Sequence, residues 1–134
     1  MDESTTAKRI VDCLIEVGTE HFFGLISGAA MDIYRALQDR QDKIRAMVPR
    51  DEQTTSCMAD MYSKLAGKLG VFADQGDFAG STGMFCLIEA FLASSPMLVL
   101  TELSDHNKFV THSPIQSSAG CTPRIAHADR PLTY

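Results

Sequence analysis

The amino-acid sequence predicts an α/β fold, a parallel sheet with helices on both faces, and three observations predict it. Apolar residues recur at helical spacing in four segments. Short apolar runs of strand length alternate with those segments. Gly and Pro punctuate the joints between them. Strands that alternate with helices form parallel pairs, because each crossover carries the chain back to the same end of the sheet.

The first helix is predicted from about Thr5 to Val17. Ile10, Leu14 and Val17 share one face, with Val11 and Ile15 beside them, and Gly18 is placed to cap its end. A strand follows near Phe22 to Leu25. After a Ser27-Gly28 loop, a second helix buries Ala30, Ile33, Tyr34 and Leu37. The second strand is predicted from Ile44 to Val48 and ends at Pro49, which has no N–H for a sheet ladder.

The third helix runs from about Gln53 to Leu65, with Cys57, Met58, Met61, Tyr62 and Leu65 in register, and Gly67 and Gly70 break it. Gly70 to Ala73 reads as the third strand. A glycine-bearing loop, Gln75 to Gly83, leads to a fourth helix, Met84 to Ala93. This helix is apolar nearly all round, so burial on several sides is expected. Pro96 precedes the fourth strand, Met97 to Thr101. Residues 103–134 are polar and carry no usable period, and are expected to be an irregular, partly disordered tail. The boundary between domain and tail is set at residue 102.

Composition narrows the function classes. The chain has 134 residues, 45% hydrophobic and 22% charged, which suits one globular domain. A net charge of −5 argues against a nucleic-acid partner. The acidic Met1-Asp2-Glu3 start has no apolar run behind it, which argues against a secretory signal. The most apolar stretch, Met84 to Leu92, is interrupted by Glu89 and too short to span a bilayer. Cys13, Cys57, Cys86 and Cys121 form no Cys-x-x-Cys pair, and read as reduced core cysteines of a cytoplasmic protein. His21, His106, His112 and His127 lack zinc spacing, so no metal is assigned.

In a parallel α/β sheet, ligands bind beyond the carboxyl ends of the strands. Three loops open there: Gly24 to Ala29, Pro49 to Glu52, and Gln75 to Gly83. Glu52 stands just inside a helix start. Its ordinary reading is a helix-dipole partner, with Asp51 as the N-cap. Gly28 also reads as a turn residue, and Gly76, Gly80 and Gly83 as a flexible loop that fits no phosphate-binding motif.

The order of the pieces changes that balance. Val11 to Gly18, His21 to Leu25 and Gly28 to Asp32 resemble the opening of the acetolactate-synthase-like thiamine diphosphate (ThDP) enzymes. Arg50-Asp51-Glu52-Gln53 resembles that family's R-H-E-Q, and Met58-Ala59-Asp60-Met61-Tyr62 its M-A-D-G-Y. Gly67 to Val71 resembles G-K-x-G-V, and Glu89 to Pro96 resembles E-A-Y-L-D-S-S-P. These matches are collinear over roughly residues 8 to 101. The resemblance implies a flavodoxin-like three-layer sandwich, incomplete at its C-terminus, that forms the pyrimidine-binding domain.

The resemblance also implies roles. The glutamate matched by Glu52 hydrogen-bonds N1′ of the cofactor's aminopyrimidine. Its proton there lets the 4′-nitrogen remove the C2 proton, so that C2 attacks a 2-keto acid. Gly28, Gly76 and Gln116 are further cofactor-side candidates. Mg2+ is expected only on a second domain or a partner chain, because the family holds the diphosphate there through a G-D-G motif. The reaction class is decarboxylation or carboligation of a 2-keto acid, with no activity expected of the chain alone; the expected partner is a chain that carries the diphosphate- and Mg2+-binding domain, or a second copy of this chain through self-association.

Departures are equally legible. Gln75 to Thr82 stands where the family has G-P-G-A-T-N, without its proline and asparagine. Ile26-Ser27-Gly28 replaces P-G-G, Asp51 a histidine, and Met61 a glycine. The altered third loop, with the metal-binding domain expected elsewhere, favours a second reading, a truncated remnant without catalysis that only binds a full-length relative. An unrelated flavodoxin-like binding module leaves the collinear matches unexplained.

Overall fold

A computed structural model describes residues 5–27 and 30–102. The elements in order are α1 (Thr6–Glu16), β1 (His21–Gly24), α2 (Met31–Gln38), β2 (Arg45–Met47), α3 (Glu52–Ala66), β3 (Gly70–Gln75), α4 (Gly76–Ala79), α5 (Met84–Leu92) and β4 (Met97–Glu102). The strands form one sheet in the order β2-β1-β3-β4, and every pair is parallel. The α/β class expected from the alternation is the class observed. The predicted tail at 103–134 lies outside the described residues.

Side-chain alternation divides the sheet between two cores. Phe22 pairs in register with Val71, and Phe23 with Phe72. Neighbours along a strand point to opposite faces. Phe22, Val71 and Ala73 therefore join Ala7, Val11 and Leu14 of α1 and Ala36 and Leu37 of α2 on one side. Phe23 and Phe72 join Ala59 of α3 and Ala79 of α4 on the other, with Tyr62 and Leu87 packed against them. Two helices cover one face and three the other, a three-layer sandwich.

Local chemistry explains the helix ends. The Thr5 side chain accepts a hydrogen bond from Lys8 N, which caps α1. Val17 is the C-cap, and the glycine read as the cap follows it at φ 84°. The Asp51 side chain accepts from Thr54 N at 2.7 Å and caps α3. Arg40 clamps Asp12 with two hydrogen bonds, Nε to Oδ1 at 2.6 Å and a second guanidinium nitrogen to Oδ2 at 3.1 Å, and so ties the end of α2 to α1.

Three expectations are corrected. α5 is not buried on several sides. Only Cys86 and Ala90 are buried, while Phe85 is 65% exposed, Phe91 69% and Leu92 73%. The pattern reports that every face of this helix is apolar, but a flanking helix meets cover only toward α3 and the sheet. Cys57 and Cys86 are not reduced core thiols. α3 and α5 lie side by side, their Cα atoms come within 5.0 Å, and the two sulfurs are bonded. Cys13 is a free thiol but exposed, not core; Cys121 lies outside the described residues. Finally, the loop predicted from Gln75 is part structure: β3 continues through Gln75, and Gly76–Ala79 forms the short helix α4.

Candidate functional site

All four strands run the same way, so the segments after β1, β2 and β3 emerge at one end of the sheet. Glu52 is the first residue of α3, which follows β2 after the four-residue connection Val48 to Asp51. It is half-buried. The segment after β3 crosses α4 and returns over this helix start. There the Thr82 hydroxyl donates toward Glu52 Oε2 at 3.3 Å, and toward the Phe78 carbonyl at 3.2 Å.

Glycine makes the close approaches at this end. A Cβ on Gly24, the last residue of β1, would stand 2.5 Å from the Tyr34 hydroxyl oxygen and 2.7 Å from the Ala73 carbonyl. A Cβ on Gly83 would stand 2.7 Å from the Phe72 ring. Neither position has room for a side chain, so the segment that carries Thr82 can lie directly on the core.

Asp51 prepares the helix start. Thr54 N donates to Oδ1, the Thr54 hydroxyl donates to Oδ2 at 2.9 Å, and these bonds hold the Asp51 carboxyl below its ordinary range. The family's histidine position is thus occupied by a capping carboxylate. Beside it lies an open depression of about 590 Å³, lined by Asp51, Gln53, Thr54, Cys57, Met58 and Met61. Glu52 is not part of that lining; its carboxylate meets Thr82 instead. A second depression, lined by Glu20, His21 and residues 41–45, sits where β1 and β2 begin. That is the wrong end of a parallel sheet for a ligand site.

Of the residues read from the sequence, Glu52 and the Gly76 segment come to the same end of the sheet, with Gly76 buried as the first residue of α4. Gly28 and Gln116 lie outside the described residues. Two residues were not singled out from the sequence. One is Thr82, which meets Glu52. The other is Asp74, a buried carboxylate at the end of β3 whose Oδ1 accepts from Gln75 N at 2.7 Å. An acidic residue directly after the apolar Val71-Phe72-Ala73 run was the available signal for Asp74; the Thr82 contact depends on loop geometry that no pattern encodes. Among the described residues, no group of three or more His, Cys, Asp or Glu could hold a metal ion.

The family described as thiamine pyrophosphate enzyme, N-terminal TPP binding domain, matches residues 4–119. The chain belongs to this family. It is similar to the acetolactate synthase large subunit of Buchnera aphidicola subsp. Acyrthosiphon pisum, 34% identical over 101 residues, which are 75% of this chain and 18% of the relative. It is 46% identical to the acetolactate synthase of Bacillus subtilis over 66 residues, 48% of this chain and 11% of the relative. The acetolactate synthase large subunit of Pyropia yezoensis is 33% identical over 103 residues, 74% of this chain and 17% of the relative. The chain spans less than a fifth of the length of these curated relatives. As a TPP-family domain, it has ThDP as the family's cofactor. No helix among the described residues is long and apolar enough to cross a membrane.

Proposed function

We propose that this ThDP-family domain binds the aminopyrimidine ring of the cofactor, with Glu52 hydrogen-bonded to N1′, as a component of a 2-keto acid decarboxylase or carboligase of acetolactate synthase type. The observation that carries this reading is the meeting of Glu52 and Thr82 at the carboxyl end of the sheet. It gathers an acidic hydrogen-bonding group and a polar loop where a parallel sheet presents its ligand.

The residues present fit the ring. Glu52 Oε2 is engaged by Thr82, which leaves Oε1 to face N1′, and the half-buried position strengthens a charge-assisted hydrogen bond there. The carboxyl can hold a proton against N1′ and return it. Thr82 limits the rotamers of Glu52, and the Asp51 cap anchors the helix turn that carries it. When bound, ThDP supplies the stabilised carbanion chemistry that 2-keto acids require. The diphosphate and its Mg2+ belong to a partner chain or second domain in this reading.

The test is reconstitution with a chain that carries the diphosphate- and Mg2+-binding domain, followed by exchange of the ThDP C2 proton. Wild type should exchange rapidly and Glu52→Gln slowly. Equal exchange in both would remove Glu52 from the role. A second reading, an interaction partner without catalysis, is favoured by the exposed apolar face of α5. It predicts a stable complex in which C2 exchange is no faster than in free ThDP.

A further inference from the structure

We propose that Cys57–Cys86 is a reversible redox latch that small thiols open by attack at Cys57, releasing α5 from α3. This rests on the pairing and its surroundings and stands apart from the cofactor reading. The two sulfurs join helices that pack side by side, with α3 seated on the sheet and α5 on its outer flank. α5 buries only Cys86 and Ala90, so one of its two buried side chains is the crosslink itself. Beyond packing, its surface link to α3 is Lys64 Nζ to Glu89 at 3.6 Å, with Glu89 60% exposed, a pair that contributes little. Leu87 packs toward the sheet, while Phe85, Ile88, Phe91 and Leu92 are each more than half exposed.

The two sulfurs differ in access. Cys86 is 7% exposed. Cys57 is half-buried and lines the open depression beside Met58 and Met61. A thiolate must approach the sulfur it attacks from outside the S–S bond. Only Cys57 presents such an approach from solvent. The attacking thiolate bonds to Cys57 Sγ while the S–S bond breaks, and Cys86 leaves as a thiolate that takes a proton from water. A second thiolate then displaces Cys57, which is protonated in turn. Two thiols are oxidised to one small disulfide, and the protein pair gains two electrons and two protons.

Opening the latch reaches the candidate site. Cys86 lies four residues past Thr82, and Cys57 five past Glu52. The covalent bond therefore fixes the segment that carries Thr82 over the helix turn that carries Glu52. Without it, α5 keeps its packing on α3 through Ala90, the half-buried Leu87 and the Gly83 seat on Phe72, with no covalent tie.

The full chain would be equilibrated in glutathione buffers of graded reducing strength, trapped with an alkylating reagent, and mapped by peptide mass spectrometry, with exposed Cys13 as reference. Amide exchange would be followed residue by residue in the same samples. Cys57 and Cys86 should convert together. Exchange over 84–92 should rise by about tenfold or more, while the α1 and β1 resonances keep their folded positions. Cys86→Ser should collect glutathione on Cys57, whereas Cys57→Ser should leave Cys86 unmodified. The latch is overturned by a pair that stays unbonded in the most oxidising buffer, by unchanged α5 exchange, by collapse of the whole spectrum on reduction, or by equal modification of Cys86.

Discussion

Thr82 and Glu52, thirty positions apart in the chain, meet at 3.3 Å between the Thr82 hydroxyl and Glu52 Oε2. The contact joins the start of α3 to the segment between α4 and α5. The hydroxyl has one proton and two acceptors in reach, Glu52 and the Phe78 carbonyl. It therefore orients Glu52 through a shared hydrogen bond. Thr82→Val removes the donor and keeps the shape. In a reconstituted complex it should slow C2 exchange by roughly tenfold or less, since one hydrogen bond to a charged group contributes about 1.5–3 kcal/mol at most and this one is shared. Folding should be unaffected, as judged by the urea midpoint.

Glu52→Gln separates chemistry from stability. A first-turn carboxylate stabilises its helix by about 0.3–1 kcal/mol through the dipole, so the melting temperature should move little. C2 exchange should fall far more than in Thr82→Val, because an amide cannot hold the proton against N1′. Exchange at the wild-type rate with an intact fold would remove Glu52 from the site.

Acid should weaken the fold modestly through three carboxyl groups. Hydrogen bonding by Arg40 holds Asp12 below its ordinary 3.8, hydrogen bonding by Lys68 holds Glu20 below 4.5, and the Thr54 N–H holds Asp51 below 3.8. Each is lower folded than unfolded, so the unfolded chain binds more protons as the pH drops. The stability they contribute is complete above the ordinary values and is lost as pH falls through the lowered ones. Urea midpoints measured from about pH 6 downward should decline below about pH 4.5. Asp12→Asn should show a shallower decline, and an unchanged slope would rule out the Arg40 clamp as a source.

Much of the fold was legible because side-chain patterns encode it. Phe22 and Phe23, adjacent in a strand, had to face opposite cores, and Ile10 and Leu14 share a helix face as read, whereas Val17, read on the same face, lies past the helix end and is 65% exposed. What escaped depends on neighbours that are distant in sequence. The apolar residues of α5 show no preferred side, so their exposure follows from its place at the flank of the sandwich. Cys57 and Cys86 are 29 residues apart with no motif between them, and only the side-by-side packing of α3 and α5 reveals the bond. α4 was hidden because Gly76 and Gly80 read as loop residues. At the site, Glu52 emerged from the order of motifs, while its partner Thr82 required the fold of the loop.

The exposed face of α5 should mediate association. Phe85, Ile88 and Leu92 stand at i, i+3 and i+7, one stripe of the helix, and each is more than half exposed. Ile88→Glu with Leu92→Glu should leave stability within about 0.5 kcal/mol per site, because neither side chain is buried. Sedimentation should then show an associated wild type and a monomeric double variant. A wild type that is monomeric at high micromolar concentration would sink the idea.

The 134-residue polypeptide by itself should bind ThDP only weakly, and the reason lies in which contacts it offers. Glu52 gives the aminopyrimidine one charge-assisted hydrogen bond, about 1.5–3 kcal/mol. Burial of a small ring adds roughly 2 kcal/mol. Immobilising the ligand opposes this with about 4 kcal/mol or more. The balance lies near zero, so the dissociation constant should be millimolar or weaker. The diphosphate carries most of the cofactor's charge, and among the described residues no acidic or histidine cluster could hold a metal to meet it. Magnesium should therefore leave the affinity unchanged. A partner that binds Mg2+ and diphosphate should raise it by orders of magnitude, because the two halves of the ligand then share one immobilisation cost. Calorimetry with ThDP, with and without Mg2+ and with and without the partner, separates these terms. A micromolar dissociation constant for the polypeptide alone would mean that it holds the diphosphate itself, and Glu52→Gln would then weaken binding by only a small factor.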